Sequence, residues 1–573
     1  MTPEPRPLSR YLPAWLAHYP RAHLGADVMA GLMVAVLVIP QSLAYALLAG
    51  LPPQAGLYVS ILPVLVYAFL GSSMTQALGP VAITAIMTAT VLTPLATPFT
   101  PEYIVLAASV ALISGVFVLL CGLLRLGFLA QLLSRPVVSG FIAGSAVLIV
   151  VSQLKPMLGL QLPSAGAAQT LLAVGQHLGE AQPTTVLLSV LSMAALWGAR
   201  FGLARYPMVV RLMPLAVLAC ATATVAGLAL DQHEGVAVVG SVQQGLGQLQ
   251  WFVPDWPTVR QLAMPALVLG FIGMVQSITM AQALAVRRRE RVDTNRELVG
   301  LGAANLAAAF YGGMPVGGGL SRSAINTTAG AQTPLASGVA ALTMLVIVAS
   351  GTSWLARMPV AVLAASIVVA AIGMIDVRAL RQAWSYDKAD AVALVGTALG
   401  VLLLGLELGI AIGIGLSLAA LLWRASAPHI AVIGRLPGSE HFRNVERYGV
   451  ETRPSALLLR IDESLFFGNL NALETRLQLE LERQPAVRHV VLVMSGVNRI
   501  DTTAMEVLTD LNRELRERGI ALHLAEVKGP IQDRLANAPL LKELSGQVHL
   551  SVNAAFEAMP RQATADHDPA LAI

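Results

Sequence analysis

From Val28 to Trp423 the chain consists mostly of apolar runs long enough to cross a bilayer. Residues 1–424 hold 35 of the Lys, Arg, Asp and Glu residues, and the 149 residues after them hold the other 35. A surface exposed to water needs charge on about a quarter of its residues. In hydrocarbon no water satisfies an open backbone amide, so runs of this length fold as spanning helices. The sequence therefore predicts two parts: a membrane region of helices and a smaller, water-soluble tail.

The apolar runs divide into fourteen segments, at roughly 26–48, 56–70, 77–93, 103–123, 134–152, 183–199, 208–229, 261–283, 297–311, 319–332, 335–352, 359–375, 389–405 and 408–423. Two are short and are approached through Pro and Gly: the third and the tenth. The tenth is the third of the second seven. Short, broken segments at matching places in two halves point to a seven-plus-seven inverted repeat. Sorting the cations tests this arrangement. Of 21 Lys and Arg before residue 425, 17 fall on one side, including Arg125, Arg135, Arg200 and the Arg287–Arg291 run. That asymmetry predicts both termini in the cytoplasm. It makes the Arg287–Arg291 run an orientation anchor, not a nucleic-acid patch. Residues 1–24 carry Arg6, Arg10 and Arg21 and lack the apolar core and small-residue site of a cleavable leader, so the first run is expected to remain as a helix.

The most unusual stretch in the membrane region is Gly312–Gly330. Pro315 and Gly317–Gly319 cannot continue a helix, while Ser321, Arg322 and Ser323 can begin one. Arginine at membrane depth marks a functional site unless it snorkels to headgroups. The first amides of a helix are unpaired and carry partial positive charge. Hydroxyls, free amides and a guanidinium at one place form an anion site. The third segment opens Gly79-Pro80-Val81-Ala82, where Gly79 breaks the backbone and Pro80 suits the first turn of a new helix. Two such helix ends and one guanidinium supply about two positive charges, which suits a small, divalent oxyanion.

Neutral polar residues sit nearby in the sequence. In the first segment Pro40 loosens the helix, and Gln41 and Tyr45, four apart, share a face that Ser42 can join. In the eighth, Gln276 and Thr279 can face one cavity. Each pair can serve an ion or bind helices together. The spans contain no histidine, and Glu407, between the last two, reads as the deepest carboxylate. A proton relay has no obvious carrier among them. Cys121 and Cys220 lie inside apolar runs and imply no disulfide framework.

Several of these stretches together resemble the sulfate permease family, the SulP or SLC26 anion transporters. They are Asp27…Ala30-Gly31-Leu32…Ile39-Pro-Gln-Ser-Leu-Ala-Tyr-Ala46, Gly50-Leu-Pro-Pro53, Gly56-Leu-Tyr58, Gly71-Ser-Ser73, Gly79-Pro80, Asn295-Arg-Glu-Leu298, Gly302-Ala-Ala-Asn305 and Ser321-Arg-Ser323. The resemblance implies a membrane all-α fold of fourteen segments, with core and gate subdomains, a cytoplasmic STAS domain and a homodimer. It places the anion between the ends of the third and tenth helices, on Gly79–Ala82 and on Ser321 and Arg322. One position departs from it. Many bacterial relatives carry an acid where Gln276 stands, which leaves exchange, uniport or coupling elsewhere open.

Beyond Arg424 the pattern changes. Short apolar strands at 456–461, 489–493 and 521–527 alternate with helices at 470–482 and 503–518, as in a small α/β domain. The stretch Val493–Met505 resembles the STAS strand–loop–helix. Asp501 or Thr502 can cap its helix, and in related anti-sigma antagonists the hydroxyl at the place of Thr502 is phosphorylated. The expected divisions are an N-terminal segment 1–25, a transport domain 26–424, a STAS domain 425–560 and a disordered tail 561–573.

The reading that follows is a secondary transporter in the bacterial inner membrane, with sulfate as its leading substrate. Bicarbonate or a dicarboxylate such as succinate is the alternative cargo, and an anion sensor signalling through the tail is the alternative class. No metal cluster, cofactor loop or nucleophile–base pair points to an enzyme. The expected partners are the anion, lipid, a second copy and a soluble protein that the tail sequence does not name.

Overall fold

The structure, a computed structural model, describes residues 13–17, 19–131, 133–162, 167–202, 205–240, 242, 245, 249–350 and 353–560. The expected tail at 561–573 and the first twelve residues lie outside these. The chain divides into two compact units, Met1–Ser417 and Leu418–Ile573.

In the first unit each of the fourteen expected segments contains a helix. In chain order they are α1 (Leu24–Leu48), the broken pair α2 (Pro53–Tyr58) and α3 (Leu62–Leu70), strand β1 (Leu78–Gly79) leading into α4 (Ala82–Leu92), α5 (Pro101–Leu123), α6 (Arg135–Leu158), α7 (Pro183–Gly202) and α8 (Pro207–Gly227). The second set is α9 (Trp256–Arg288), α10 (Thr294–Phe310), strand β2 (Gly317–Gly318) leading into α11 (Leu320–Thr328), α12 (Leu335–Ser350), α13 (Val360–Ile372), α14 (Val377–Tyr386), α15 (Lys388–Leu404) and α16 (Leu406–Ser426), which runs across the division between the units. Among the described residues, eight helices are long and apolar enough to cross a membrane. Helix α14 was not expected; its residues are exposed or half-buried, and Asp376 caps it by accepting from Arg378 N and Ala379 N.

The membrane helices form two packing groups. Helix α10 packs on α5 and α3, α9 packs on α5, and α12 packs on α1; separately, α15 and α13 pack on α6, and α7 packs on α13 and α8. The first group contains both short half-helices and is the core; the second is the gate. They meet where α1 and α4 touch α6, α8 and α13. The equivalent elements of the two repeats thus fall in the same group, as an inverted repeat requires.

The second unit is built around one six-stranded mixed sheet. Its strands are β3 (Ile430–Arg435), β4 (Phe442–Asn444), β5 (Ala456–Ile461), β6 (His489–Val493), β7 (Ala521–Ala525) and β8 (Val548–His549), in the order β4-β3-β5-β6-β7-β8. The run β5-β6-β7-β8 is parallel, and β3 is antiparallel to both its neighbours. Helices α17 (Leu470–Arg483) and α18 (Thr502–Glu517) turn Leu473, Leu477, Leu508 and Leu515 into the core beneath the sheet. Parallel strands need crossovers of this kind, and their buried residues read as continuous apolar runs. Strands β3 and β4 precede the first strand expected from the sequence, at 456–461, and lie within the expected domain 425–560. Ala431, Val432 and Ile433 of β3 are buried, with side chains on both faces of the sheet.

Candidate functional site: the crossing of two half-helices

Each half-helix is led in by a two-residue strand, and the two strands pair antiparallel, Leu78 opposite Gly318 and Gly79 opposite Gly317. The ladder continues with Gly319 N donating to Ala77 O at 3.1 Å. Side chains from the surrounding helices satisfy the rest of this irregular backbone, which hydrocarbon would not tolerate open. Gly318 N donates to Ser277 Oγ at 2.9 Å, Val316 N to Asn305 Oδ1 at 2.9 Å, and Thr84 Oγ1 to Pro315 O at 3.2 Å. Helices α4 and α11 therefore begin at one spot. The long core helices α5, α9 and α10 start on side-chain caps, Thr100, Asp255 and Asp293, whereas α1, α2 and α3 do not. Here Val81 and Gly319 hold the cap positions, and neither gives a side-chain bond. A helix start without a cap can offer its first-turn amides to an anion.

Arg322 is 3% exposed. Its Nη1 donates to Leu78 O at 2.7 Å and its Nη2 to Pro80 O at 2.5 Å, while Nε has no partner. The guanidinium thus reaches from α11 across to the opposite strand and fastens it. Among the described residues no carboxylate balances its charge; the group in electrostatic range is the Tyr45 phenol. An isolated buried charge is expensive, and a bound anion would offset that cost. Gly79 makes the approach possible. It has φ +150°, and a Cβ there would collide with Arg322 Nη1. Pro80 stands two residues ahead of α4, not in its first turn. The helix starts at Ala82 because Val81 is extended, with φ −130° and ψ 150°.

The other expected site residues fare differently. Val81 and Ala82 are buried at the start of α4, and Tyr45 is buried on α1 with Gln41 half-buried one turn earlier. Gln276 is half-buried and faces an apolar cavity between core and gate, lined by Ile83 of α4, Val138, Phe141 and Ile142 of α6, Ile410 of α16 and Ile272 and Val275 of α9. Thr279 does not line that cavity and is exposed, although a three-residue step leaves it on a neighbouring part of the same face of α9. Ser323 does not face the crossing as a free hydroxyl: its Oγ accepts from Ala77 N at 2.9 Å and so helps fix β1. Ser42 bonds Ser60 Oγ at 2.8 Å and joins α1 to the break between α2 and α3. The Ser321 side chain lies outside the described residues.

Glu407 is half-buried, and two carboxylates at helix starts are more buried than it. Asp27 and Glu297 are both fully buried. Glu297 accepts from Tyr67 Oη, from Ser72 N and Oγ at 3.1 and 2.8 Å, and from Ser73 N at 3.2 Å. Asp27 accepts from Gln332 N at 2.6 Å, Thr333 N at 3.1 Å, Thr333 Oγ1 at 2.7 Å and Tyr19 Oη at 3.0 Å. Each carboxylate anchors the connection beside one half-helix, Glu297 before β1 and Asp27 after α11. Sequence reading placed both at segment edges, where acids are ordinarily solvated. The available signal was the run of small hydroxyl and glycine residues at 71–73, whose amides need an acceptor.

In the soluble unit, Asp501 is the cap of α18, accepting from Ala504 N at 2.8 Å and from Phe467 N at 3.0 Å. Thr502 is exposed in the first turn.

The family model described as the sulfate permease family matches residues 24–397, and the STAS domain model matches residues 447–555. A probable sulfate transporter of Mycobacterium tuberculosis strain H37Rv is 36% identical over 544 residues, covering 93% of this chain and 94% of the relative. Sulfate transporter 2.1 of Arabidopsis thaliana is 30% identical over 567 residues, covering 95% and 84%. Among solved structures, the murine anion transporter Slc26a9 in its inward-facing state superposes with TM-score 0.86 at 21% identity, covering 96% of this chain and 94% of that one. The transmembrane domain of a cyanobacterial bicarbonate transporter superposes with TM-score 0.60 at 23% identity over 70% of this chain and 98% of that one. A buried, unbalanced arginine at the crossing of two half-helices, the repeat-matched core and gate and the two family matches agree: the chain is a multi-pass membrane protein that belongs to the sulfate permease family of transporters and carries a STAS domain.

Proposed function

We propose that this protein is a secondary transporter that carries a small inorganic oxyanion, sulfate first, through the bacterial inner membrane by alternating access. The observation that carries this reading is the Arg322 guanidinium, buried without a carboxylate partner where two uncapped helix N-termini meet. The two helix ends and the guanidinium together present about two positive charges. In a site stripped of water these interactions strengthen, because no solvent screens them. Sulfate matches this charge, and the names of the relatives favour it over bicarbonate or a dicarboxylate. The anion contacts the first-turn amides of α4, from Ala82, and of α11, with Ser321 and Arg322, while Gln41, Tyr45 and Gln276 border the site. The core then moves against the gate across the interface that contains Ile83, Phe141 and Ile142.

Residues 26–424 form the transport domain and 425–560 the STAS domain, both termini face the cytoplasm, and two copies form the working dimer. The STAS domain offers Thr502 as a site for phosphorylation and a surface for a soluble partner. With Gln276 in the eighth segment, a carboxylate-borne cation is not available there, so exchange or uniport is the simplest cycle.

Uptake of labelled sulfate by purified protein in liposomes tests the reading. Arg322→Gln should lower uptake at least about 100-fold, the effect of roughly 2.7 kcal/mol of lost anion stabilisation. Arg322→Lys keeps the charge while losing the two-pronged hold on β1, and should retain part of the sulfate affinity. Sulfate uptake by Arg322→Gln at the wild-type rate would remove the guanidinium from the site.

A further inference from the structure

Helix α14 (Val377–Tyr386) is an amphipathic element set between two apolar helices of the gate. Gly373–Asp376 join it to α13, and Asp387 alone joins it to α15. Asp376 caps its start, while Asp387 closes its end and caps α15 by accepting from Ala389 N at 2.8 Å. Connections this short keep α14 at the end of its neighbours. Ten residues of helix span only about 15 Å, half the thickness of the hydrocarbon, so α14 does not cross.

The side chains change character in order around the helix. Ala379, Leu380 and Ala383 are half-buried, where α14 packs on α15 and α6. Next come Val377 and Trp384, seven positions apart and so nearly in line along the axis. They are 64% and 62% exposed. Arg381, four after Val377 and three before Trp384, borders this strip on the side away from Leu380. Arg378 stands one step further around, and both arginines are exposed. Protein, apolar strip and cations thus follow one another around a single short helix.

The end of α7 repeats the pairing of cation with exposed aromatic. A Cβ placed on Gly373 would stand 3.2 Å from Arg200 Nη1, so the last turn of α7 lies against the turn that leads into α14. Phe201 follows Arg200 and is exposed. Arg200, Arg378, Arg381 and Lys388 together outnumber Asp376, Asp387 and Asp390 here. Tryptophan favours the level of the headgroups, and a helix with one apolar and one basic flank lies in that plane. The apolar strip adjoins α15, whose exposed Val392 and Leu399 call for hydrocarbon. We propose that α14 is an in-plane anchor of the gate that binds anionic phospholipid. Val377 and Trp384 enter the boundary between headgroups and acyl chains, and Arg378 and Arg381 hold the acidic headgroups.

The inference depends on residence in a membrane and not on the cargo. The full-length chain is placed in bilayers of equal phosphatidylcholine and phosphatidylglycerol, with bromines on the upper acyl chains of one lipid at a time. The Trp384 signal is the emission of the wild type minus that of Trp384→Phe, with Trp384→Leu as a second reference. Brominated phosphatidylglycerol should quench this signal more strongly than brominated phosphatidylcholine. The preference, about fivefold for each arginine, should vanish when Arg378→Gln and Arg381→Gln are combined. Equal quenching by the two lipids in the wild type, or an unchanged preference in the double variant, would overturn the headgroup site. A signal reached by aqueous iodide and by neither lipid would put α14 in water. A signal reached by none of the three would mean that a second copy or the STAS domain covers it. Either result overturns the anchor.

Discussion

The connection 71–82 is gripped at its two ends by buried charges of opposite sign and opposite condition. At its start Glu297 takes four hydrogen bonds, from Tyr67, from the backbone and hydroxyl of Ser72 and from the backbone of Ser73. At its finish Arg322 makes two bonds to carbonyls, leaves Nε empty and, among the described residues, meets no carboxylate. Both side chains fasten the same piece of chain. The carboxylate is saturated and therefore structural, since donors that converge on a buried anion compensate its desolvation. The guanidinium keeps an unfilled donor, and it is there that we propose the anion binds. Burial of charge alone does not locate the site; what remains unpaired after the fold is complete does.

The comparison can be broken most severely at the crossing. Beyond the loss expected of Arg322→Gln, Gly79→Ala should reduce sulfate uptake by at least about tenfold, because the added Cβ collides with the guanidinium and alanine resists a φ of +150°. Normal uptake by that variant would mean that the Arg322–β1 contact is not needed in the transport cycle. Glu297→Gln sharpens the other side of the contrast. It keeps the shape and removes the charge that the four donors serve, so it should lower stability by about 1–3 kcal/mol, read as a fall in melting temperature. Sulfate KM of the folded variant should move by less than about threefold. A large rise in KM with unchanged melting temperature would show that Glu297 acts on the anion and not on the fold.

The smallest effect lies in the STAS domain. His489, His523 and His549 sit side by side on β6, β7 and β8, with ring nitrogens 3.2 Å apart at each step. Burial, aided by His489 and then His549, pushes His523 down to about 4, and its Nδ1 accepts from Gln547 N at 3.1 Å. Protonation puts a donor against that donor. A histidine held low in the folded state contributes stability above its unfolded value near 6.5, and that contribution fades as pH falls toward 4. Thermal unfolding of the STAS domain should therefore shift to lower temperature across this window, and His523→Gln should flatten the shift. An equal shift in that variant would assign the pH dependence to other groups.

Much of the architecture is legible in the residues. The length and charge poverty of the runs give the helices, because backbone in hydrocarbon must satisfy itself. The Gly and Pro approaches to segments three and ten give the breaks. What failed were judgements of direction. Thr279 and Ser323 are the right residue types, but Thr279 is exposed and lines no part of the cavity beside Gln276, and Ser323 turns to the Ala77 amide. The role of Glu297 is not local, since its four donors come from residues 67–73, more than 200 positions away in the chain.

The sequence by itself determined the membrane character, the paired half-helices and the presence of an arginine at one of their starts, since composition and helix-breaking residues act locally. Only the tertiary structure decided which polar atoms the fold consumes and which it leaves open. Hydrogen-bond satisfaction is a sum over neighbours from distant segments. It pairs every acceptor of Glu297, uses two donors of Arg322, and leaves Arg322 Nε without a partner at the crossing.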